Sequence, residues 1–471
     1  MKVDKLINYT HLINYIYIKS LFQVMFNYGI MFRVQLCLLD QLLSCVTCSG
    51  KYLMNNNENM TFIDLFAGCG GLSLGLINAG FKGVFAIEKT PDAFSTLIYN
   101  LKNQDKQNNF DWPSWLPCKN MTTEELLNNY KDNLKDLEGK VDLIAGGPPC
   151  QGFSFAGRRN PNDPRNKLTE EYIKIVDMVK PKFLLLENVR GFQIAFKNKK
   201  KAYSEYVISK LENLDGCKYK VFKKVLPASM FGVPQLRHRF IMLAIRHDVI
   251  DSLKLEGYDD DSFFEIVNNR ASLFKKNNGL KSEIVKLSDA ISDLEMKGKK
   301  LIKCPDSNNF KQISYQLPDK INPYLKLMRR DVDDKFIPNS LRLPNHKEDT
   351  LDKFKYIIQH AEKGKALSKK LKEKFSMKKQ CFTVLSPDKL ATTITTLPDD
   401  ALHYSEPRVL TVRENARIQS FPDWFEFQGK YTTGGHRRKE ECPRYSQVGN
   451  AVPPLMAEVL GLVIKDLTLE K

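Results

Sequence analysis

Cys150 lies in the run Gly146-Gly147-Pro148-Pro149-Cys150-Gln151-Gly152-Phe153-Ser154, just after the apolar segment Val141 to Ala145. Prolines fix such a turn and glycines let another molecule approach its backbone. A thiol presented this way suits nucleophilic attack better than core packing, once its surroundings favour the thiolate. Glu187, in Glu187-Asn188-Val189, ends another apolar run and can serve as an acid or base. Alone, it reads equally well as a surface charge. Upstream, Asp64-Leu65-Phe66-Ala67-Gly68-Cys69-Gly70-Gly71 leads from an apolar run toward a helix beginning near Leu72. Glycines there let the backbone close on a charged small molecule, and a helix N-terminus favours its carboxylate or phosphate. Ser73 replaces the third glycine of Gly-x-Gly-x-x-Gly, which argues against a dinucleotide. Glu88, ending the next apolar run, is placed to accept both hydroxyls of a ribose.

These residues need elements to hold them. Phe62 to Phe66, Gly83 to Glu88, Val141 to Ala145, Phe183 to Leu186 and Phe240 to Ile245 are short apolar runs separated by helix-compatible sequence. Thr169-Glu170-Glu171 opens a helix through Lys180, which Pro181 stops. The rhythm predicts an α/β fold with a largely parallel sheet covered on both faces. Ligands collect at the carboxyl ends of such strands, where all three motifs fall. From Arg246 to Gln380 the rhythm gives way to lysine and asparagine clusters such as Lys275-Lys276-Asn277-Asn278, read as a smaller inserted domain rather than a solvated insertion.

With 471 residues, 42% of them hydrophobic, the chain can fill more than one domain core. Its net charge of +17 favours a polyanionic partner. Leu6 to Ile18 and Ser20 to Phe32 are apolar, but Lys19, Arg33 and Asp40 interrupt them before any membrane-spanning length is reached. Asp4 and the lack of a small-residue cleavage site argue against a secretory signal. The ten scattered cysteines form no disulfide framework, so a reducing, cytoplasmic setting is expected. Cys45-x-x-Cys48 has metal-like spacing but no second pair, and no metal site is expected.

In order, the glycine turn, Pro-Pro-Cys-Gln and Glu-Asn-Val resemble the motifs of cytosine-5 DNA methyltransferases of the bacterial restriction–modification type. Gln235-Leu236-Arg237-His238-Arg239 resembles that family's Gln-x-Arg-x-Arg element, and Gln447-Val448-Gly449-Asn450-Ala451-Val452-Pro453-Pro454 its closing motif. Thr392 to Thr396 and Arg413 to Asp423 match segments between them, so the resemblance runs from about residue 60 to 465 and is patchy across 246–380. It implies a Rossmann-like sheet using S-adenosylmethionine, held by Phe66, Gly68, Gly70, Gly71, Glu88, Pro149 and Asn450. Asn120 stands where the family often has an aspartate on the adenine amino group; an amide oxygen can still accept that bond.

The resemblance further implies a flipped cytosine attacked at C6 by Cys150. Glu187 would protonate N3, which needs a carboxyl pKa raised by burial. Arg239 would contact O2, with Arg237 in support; period-two spacing points both to one side. Domains are expected at 1–59 (an extension), 60–245 (catalytic and cofactor-binding), 246–395 (target recognition) and 396–471 (a return to the catalytic domain). Arg158, Arg159 and Arg165 mark a lid over the substrate phosphates. The implied partner is double-stranded DNA, bound by a monomer in the cytoplasm and drawn through DNA to the nucleoid. A cognate restriction endonuclease would act independently. Two readings remain beside it: a tRNA cytosine-5 methyltransferase, suggested by Cys381-Phe382-Thr383, and a non-catalytic DNA-binding relative.

Overall fold

The five predicted apolar runs and one further strand build a six-stranded sheet. The computed structural model describes residues 59–102, 108–149, 167–195, 201–281, 283–377, 379, 382–433, 437 and 441–469. Cys150, the lid arginines, Cys381, the Cys45–Cys48 spacing and residues 1–58 lie outside them. Residues Asn59–Lys471 form one contact unit. Strands β1 (Thr61–Leu65), β2 (Lys82–Ile87), β3 (Leu143–Gly146), β4 (Phe183–Val189), β5 (Tyr219–Pro227) and β6 (His238–Arg246) are ordered β2-β1-β3-β4-β6-β5. The pairs β1–β2, β1–β3 and β3–β4 are parallel, while β6 runs antiparallel to both β4 and β5. The start of β6 therefore lies at the same sheet edge as the carboxyl ends of the other five strands.

Each face buries its own set of side chains. Phe62, Leu143, Ala145, Leu185 and Leu243 belong to one core; Ile63, Ile144, Leu184, Leu186 and Met242 belong to the other. Helices α1 (Gly71–Asn78), α2 (Pro91–Leu101), α5 (Asp260–Asn277) and α9 (Pro454–Leu469) contribute to the first. Helices α3 (Lys167–Val179) and α4 (Tyr203–Glu212) contribute to the second. Pro91 stands in the first turn of α2, where its missing N–H costs nothing. α9 lies along α1 so closely that a Cβ on Gly75 would come within 2.4 Å of the Ala457 Cβ. Among the described residues, no helix is long and apolar enough to cross a membrane.

The stretch 246–395 is not uniform. Phe263, Phe264, Val267, Ala271 and Phe274 of α5 are buried in the first sheet core, and Phe263 stacks on Phe222 of β5 at 4.1 Å. The lysines and asparagines of that helix are its solvent face. Beyond it, two small cores appear. One gathers Leu294, Ile313, Tyr315 and Leu341 beside the hairpin β7 (Leu301–Lys303) and β8 (Lys311–Ile313). The other gathers Phe354 and Ile357 of helix α6 (Glu348–His360) with Phe382, Val384 and Leu402.

Buried ion pairs tie this part to the body. Arg417, on α7 (Val412–Ile418), reaches Asp293 and Asp423 at 2.7 Å each, and Arg329 reaches Asp423 at 3.3 Å. Arg408 pairs with Glu406 and Glu414 at 2.7 Å each. Within this lattice each of these charges has a partner, so removing one member leaves the other stranded, which is the costly way to break it.

Candidate active site

The turn after β1 is built from unusual backbone. Phe66, Gly68 and Gly70 have φ of 61°, 57° and 94°, and the chain reverses there into α1. Phenylalanine rarely adopts that region, so the turn is held from outside. The Ala67 N–H donates to the Ile87 carbonyl at 2.9 Å. The Gly68 N–H donates to Glu88 Oε2 at 3.0 Å. Glu88 Oε1 accepts from the Thr90 N–H at 2.7 Å and from the Thr90 hydroxyl. A Cβ on Gly68 would meet nothing within 4 Å, so the turn has an open side. Gly71 is closed by the C-terminal segment: a Cβ there would come within 2.4 Å of the Val452 carbonyl oxygen.

Asn120 stands beside Glu88. Its Nδ2 donates to the Lys89 carbonyl at 3.0 Å, and the next residue, Met121, donates its N–H to the Glu88 carbonyl at 2.8 Å. Pro149 follows β3, the other neighbour of β1. Asn450 ends α8 (Arg444–Asn450) with its side chain exposed. Asp64, deep in β1, accepts from the Ser73 hydroxyl at 2.5 Å, and burial pushes its carboxyl up to about 7. Its Oδ1 has no partner among the described residues.

At the same edge, Glu187 on β4 and Arg239 on β6 form an ion pair, Nε to Oε1 at 2.7 Å, with side chains 12% and 13% exposed. The reversed strand makes this possible: β6 enters where β4 leaves, with Arg239 opposite Val189. Gly147 lies against the pair, since a Cβ on it would meet Glu187 Oε2 at 3.3 Å. The buried Asn188 donates from Nδ2 to the Pro148 carbonyl at 3.3 Å, which fixes the turn leading to Cys150.

Arg237 turns inward. Nη1 donates to the Ile394 carbonyl at 3.3 Å, and Nη2 donates to the carbonyls of Gly449 and Ala451 at 3.1 Å each. Burial, with Arg239 nearby, holds its pKa well below the usual arginine value. Two glutamines that the motifs contain but sequence reasoning left without a role complete this staple. Gln235 Nε2 donates to Gln419 Oε1 at 2.5 Å, while the Gln419 amide donates to the carbonyls of Val448 at 3.0 Å and Ala451 at 2.9 Å. Their signal was amides in otherwise apolar or basic motifs. The edge thus collects Phe66, the glycines, Glu88 and Asn120 around one turn, and Glu187 with Arg239 beside the turn that carries Pro149. Arg237 joins the C-terminal segment to them from behind.

An α/β sheet whose carboxyl edge carries a glycine turn, a strand-end glutamate and a second acid paired to arginine has the make-up of a catalytic edge. The particular family follows from comparison with known proteins. A profile of the C-5 cytosine-specific DNA methylase family matches residues 60–466, and the chain belongs to that family. It is 31% identical over 420 residues to the type II methyltransferase M.DdeI of Desulfomicrobium norvegicum, covering 85% of this chain and 88% of that protein. It is 30% identical over 403 residues to the type II methyltransferase M.XorII of Xanthomonas oryzae pv. oryzae, covering 85% and 83%. A solved E. coli structure, a prophage-encoded protein described as a DNA modification methyltransferase, superposes with a TM-score of 0.57 at 24% identity, covering 88% of this chain and 100% of that one. That likeness supports the fold. The protein is a DNA cytosine-5 methyltransferase.

Proposed function

We propose that this enzyme methylates cytosine within one word of double-stranded DNA, using S-adenosylmethionine held at the turn after β1. The residues fit that cofactor. Gly68 is open toward it, the half-buried Phe66 offers a ring for the adenine, and Glu88 is fixed beside the turn with a carboxylate for ribose hydroxyls. Asn120, Pro149 and Asn450 complete the proposed set, with the Asn120 oxygen accepting from the adenine. When bound, the cofactor supplies an electrophilic sulfonium methyl and leaves as a neutral thioether.

On the protein side, Cys150 adds as thiolate to C6 of the extruded base. The C5–C6 π pair then moves to C5 as Glu187 gives a proton toward N3. Arg239 holds O2, and Arg237 keeps the start of β6 in place behind it. After C5 is methylated, the C5 proton is lost to water, its electron pair expels the Cys150 thiolate from C6, and N3 returns its proton to Glu187, which restores the ring. The observation that carries this reading is the Glu187–Arg239 pair, set against Gly147 at the sheet edge. Free, the two groups hold each other; the base would be bound by sharing them.

Residues 294–409, with their two small cores, are proposed to contact DNA and select the word, the lid arginines to grip phosphates, and the chain to act as a monomer. By analogy with the type II relatives, we assign it to protecting host DNA in the cytoplasm, on the nucleoid, against an independently acting restriction endonuclease. Of the tripeptide that suggested tRNA, Phe382 is buried in one of these small cores and Thr383 lies in strand β9 (Thr383–Val384), so these two residues have a packing role.

The test is bisulfite mapping of DNA from cells expressing the wild type and Cys150→Ala. Methylated cytosines in one repeated word for the wild type, and none for the variant, are expected. Methylation by the variant would overturn the thiolate mechanism, and methylation of tRNA alone would overturn the substrate.

A further inference from the structure

Leu236 stands three residues before Arg239 and is 49% exposed. A lone exposed leucine is ordinary on a protein surface. What sets this one apart is how rigidly the chain forces it outward at the catalytic edge. Its neighbours Gln235 and Arg237 are buried, at 0% and 2% exposed, and both are held by the buried staple. The Leu236 N–H donates to the Ala391 carbonyl at 2.8 Å, and its carbonyl accepts from the Thr393 hydroxyl. The Arg237 carbonyl accepts from the Ala228 N–H at 2.7 Å. The segment has no freedom to withdraw the side chain.

The surroundings suit a sugar rather than a partner protein. His238 and Thr393, the latter bonded to the Leu236 carbonyl, are exposed beside Leu236, giving a small apolar point among polar groups. Three residues of extended chain reach no more than roughly 10 Å, so Leu236 lies within a nucleotide's length of the Arg239 backbone. A base held between Glu187 and Arg239 brings its deoxyribose to this rim. We infer that Leu236 is a positioning residue that packs on the deoxyribose of the extruded target nucleotide and so favours the flipped state. This rests on the functional reading above.

The experiment uses the full-length enzyme, its mapped DNA word, and L236A and L236M. Thermal stability and cofactor binding should match the wild type in both variants. With 2-aminopurine at the target position, L236A should show a weaker fluorescence rise on binding, and kcat/KM on matched duplex should fall about tenfold, mainly through kcat. L236M should recover most of it. A mispaired target, whose extrusion costs less, should shrink the L236A defect. An unchanged rate, or an equal defect on matched and mispaired targets, would overturn the inference while leaving the methyltransferase reading intact. A wild type that methylates no DNA would overturn that reading, and this inference with it.

Discussion

Glu187 and Arg239 show what a single pair of residues can hold in readiness. Each is nearly buried, and each is the other's charge partner. Replacing Glu187 by glutamine keeps the shape and removes the proton. The turnover rate should fall by about 10² to 10⁴ with thermal stability little changed, since general acid catalysis is worth that much. Near-wild-type turnover in single-turnover assays would mean another group protonates the base. At this scale the sequence was informative about position: Glu88 and Glu187 close apolar runs, and the structure sets Glu88 just after β2 and Glu187 near the end of β4. It was silent where a side chain acts on the backbone. Arg237 binds carbonyls 157 to 214 residues further along the chain, and nothing in its own motif names them.

At the scale of elements, β6 decides the site, because one reversed strand carries an arginine to the edge where the acid emerges. Five apolar runs were recognisable as strands, and their side chains alternate between the two cores as pleating requires. β5 was not, since Lys220, Lys223 and Lys224 interrupt its pattern. Helix α5 has apolar residues at helical spacing, but the charges between them drew the eye to an inserted domain. Close approaches between elements were equally hidden. A Cβ on Gly449 would lie 2.2 Å from the Thr395 carbonyl oxygen, whereas one on Gly257 would meet nothing within 4 Å. Gly449→Ala should therefore cost about 1–3 kcal/mol and lower the melting temperature, with Gly257→Ala close to neutral as its control. Equal melting temperatures would show that the segment yields freely.

At the scale of the whole molecule, interior charges join the two small cores to the body, and a buried histidine among them carries a pH dependence. His403 Nδ1 accepts the N–H groups of Ser405 and Glu406 at 3.2 Å each. Burial, opposed by Glu414 and reinforced by Arg408 and Lys363, holds its pKa at about 3. The folded value is depressed, so the unfolded chain binds more protons between the two values. This stabilisation is complete above about pH 6.5 and is lost as pH falls toward 3, amounting to roughly 2–3 kcal/mol by pH 4.5. Urea midpoints for wild type should drop more steeply than those of His403→Gln between pH 7 and 5. Parallel curves would place the acid sensitivity elsewhere.

The packing of α9 along α1 has a consequence in time. On the ribosome, the glycine turn and α1 emerge early, yet the helix that covers them is encoded some 380 residues later. At ordinary elongation rates that is an interval of about 20 to 80 s. Through it, the apolar side of α1 waits uncovered and Gly71 lacks the wall supplied by Val452. A nascent or prematurely terminated chain would thus display the glycine turn without its closing side until α9 has been made.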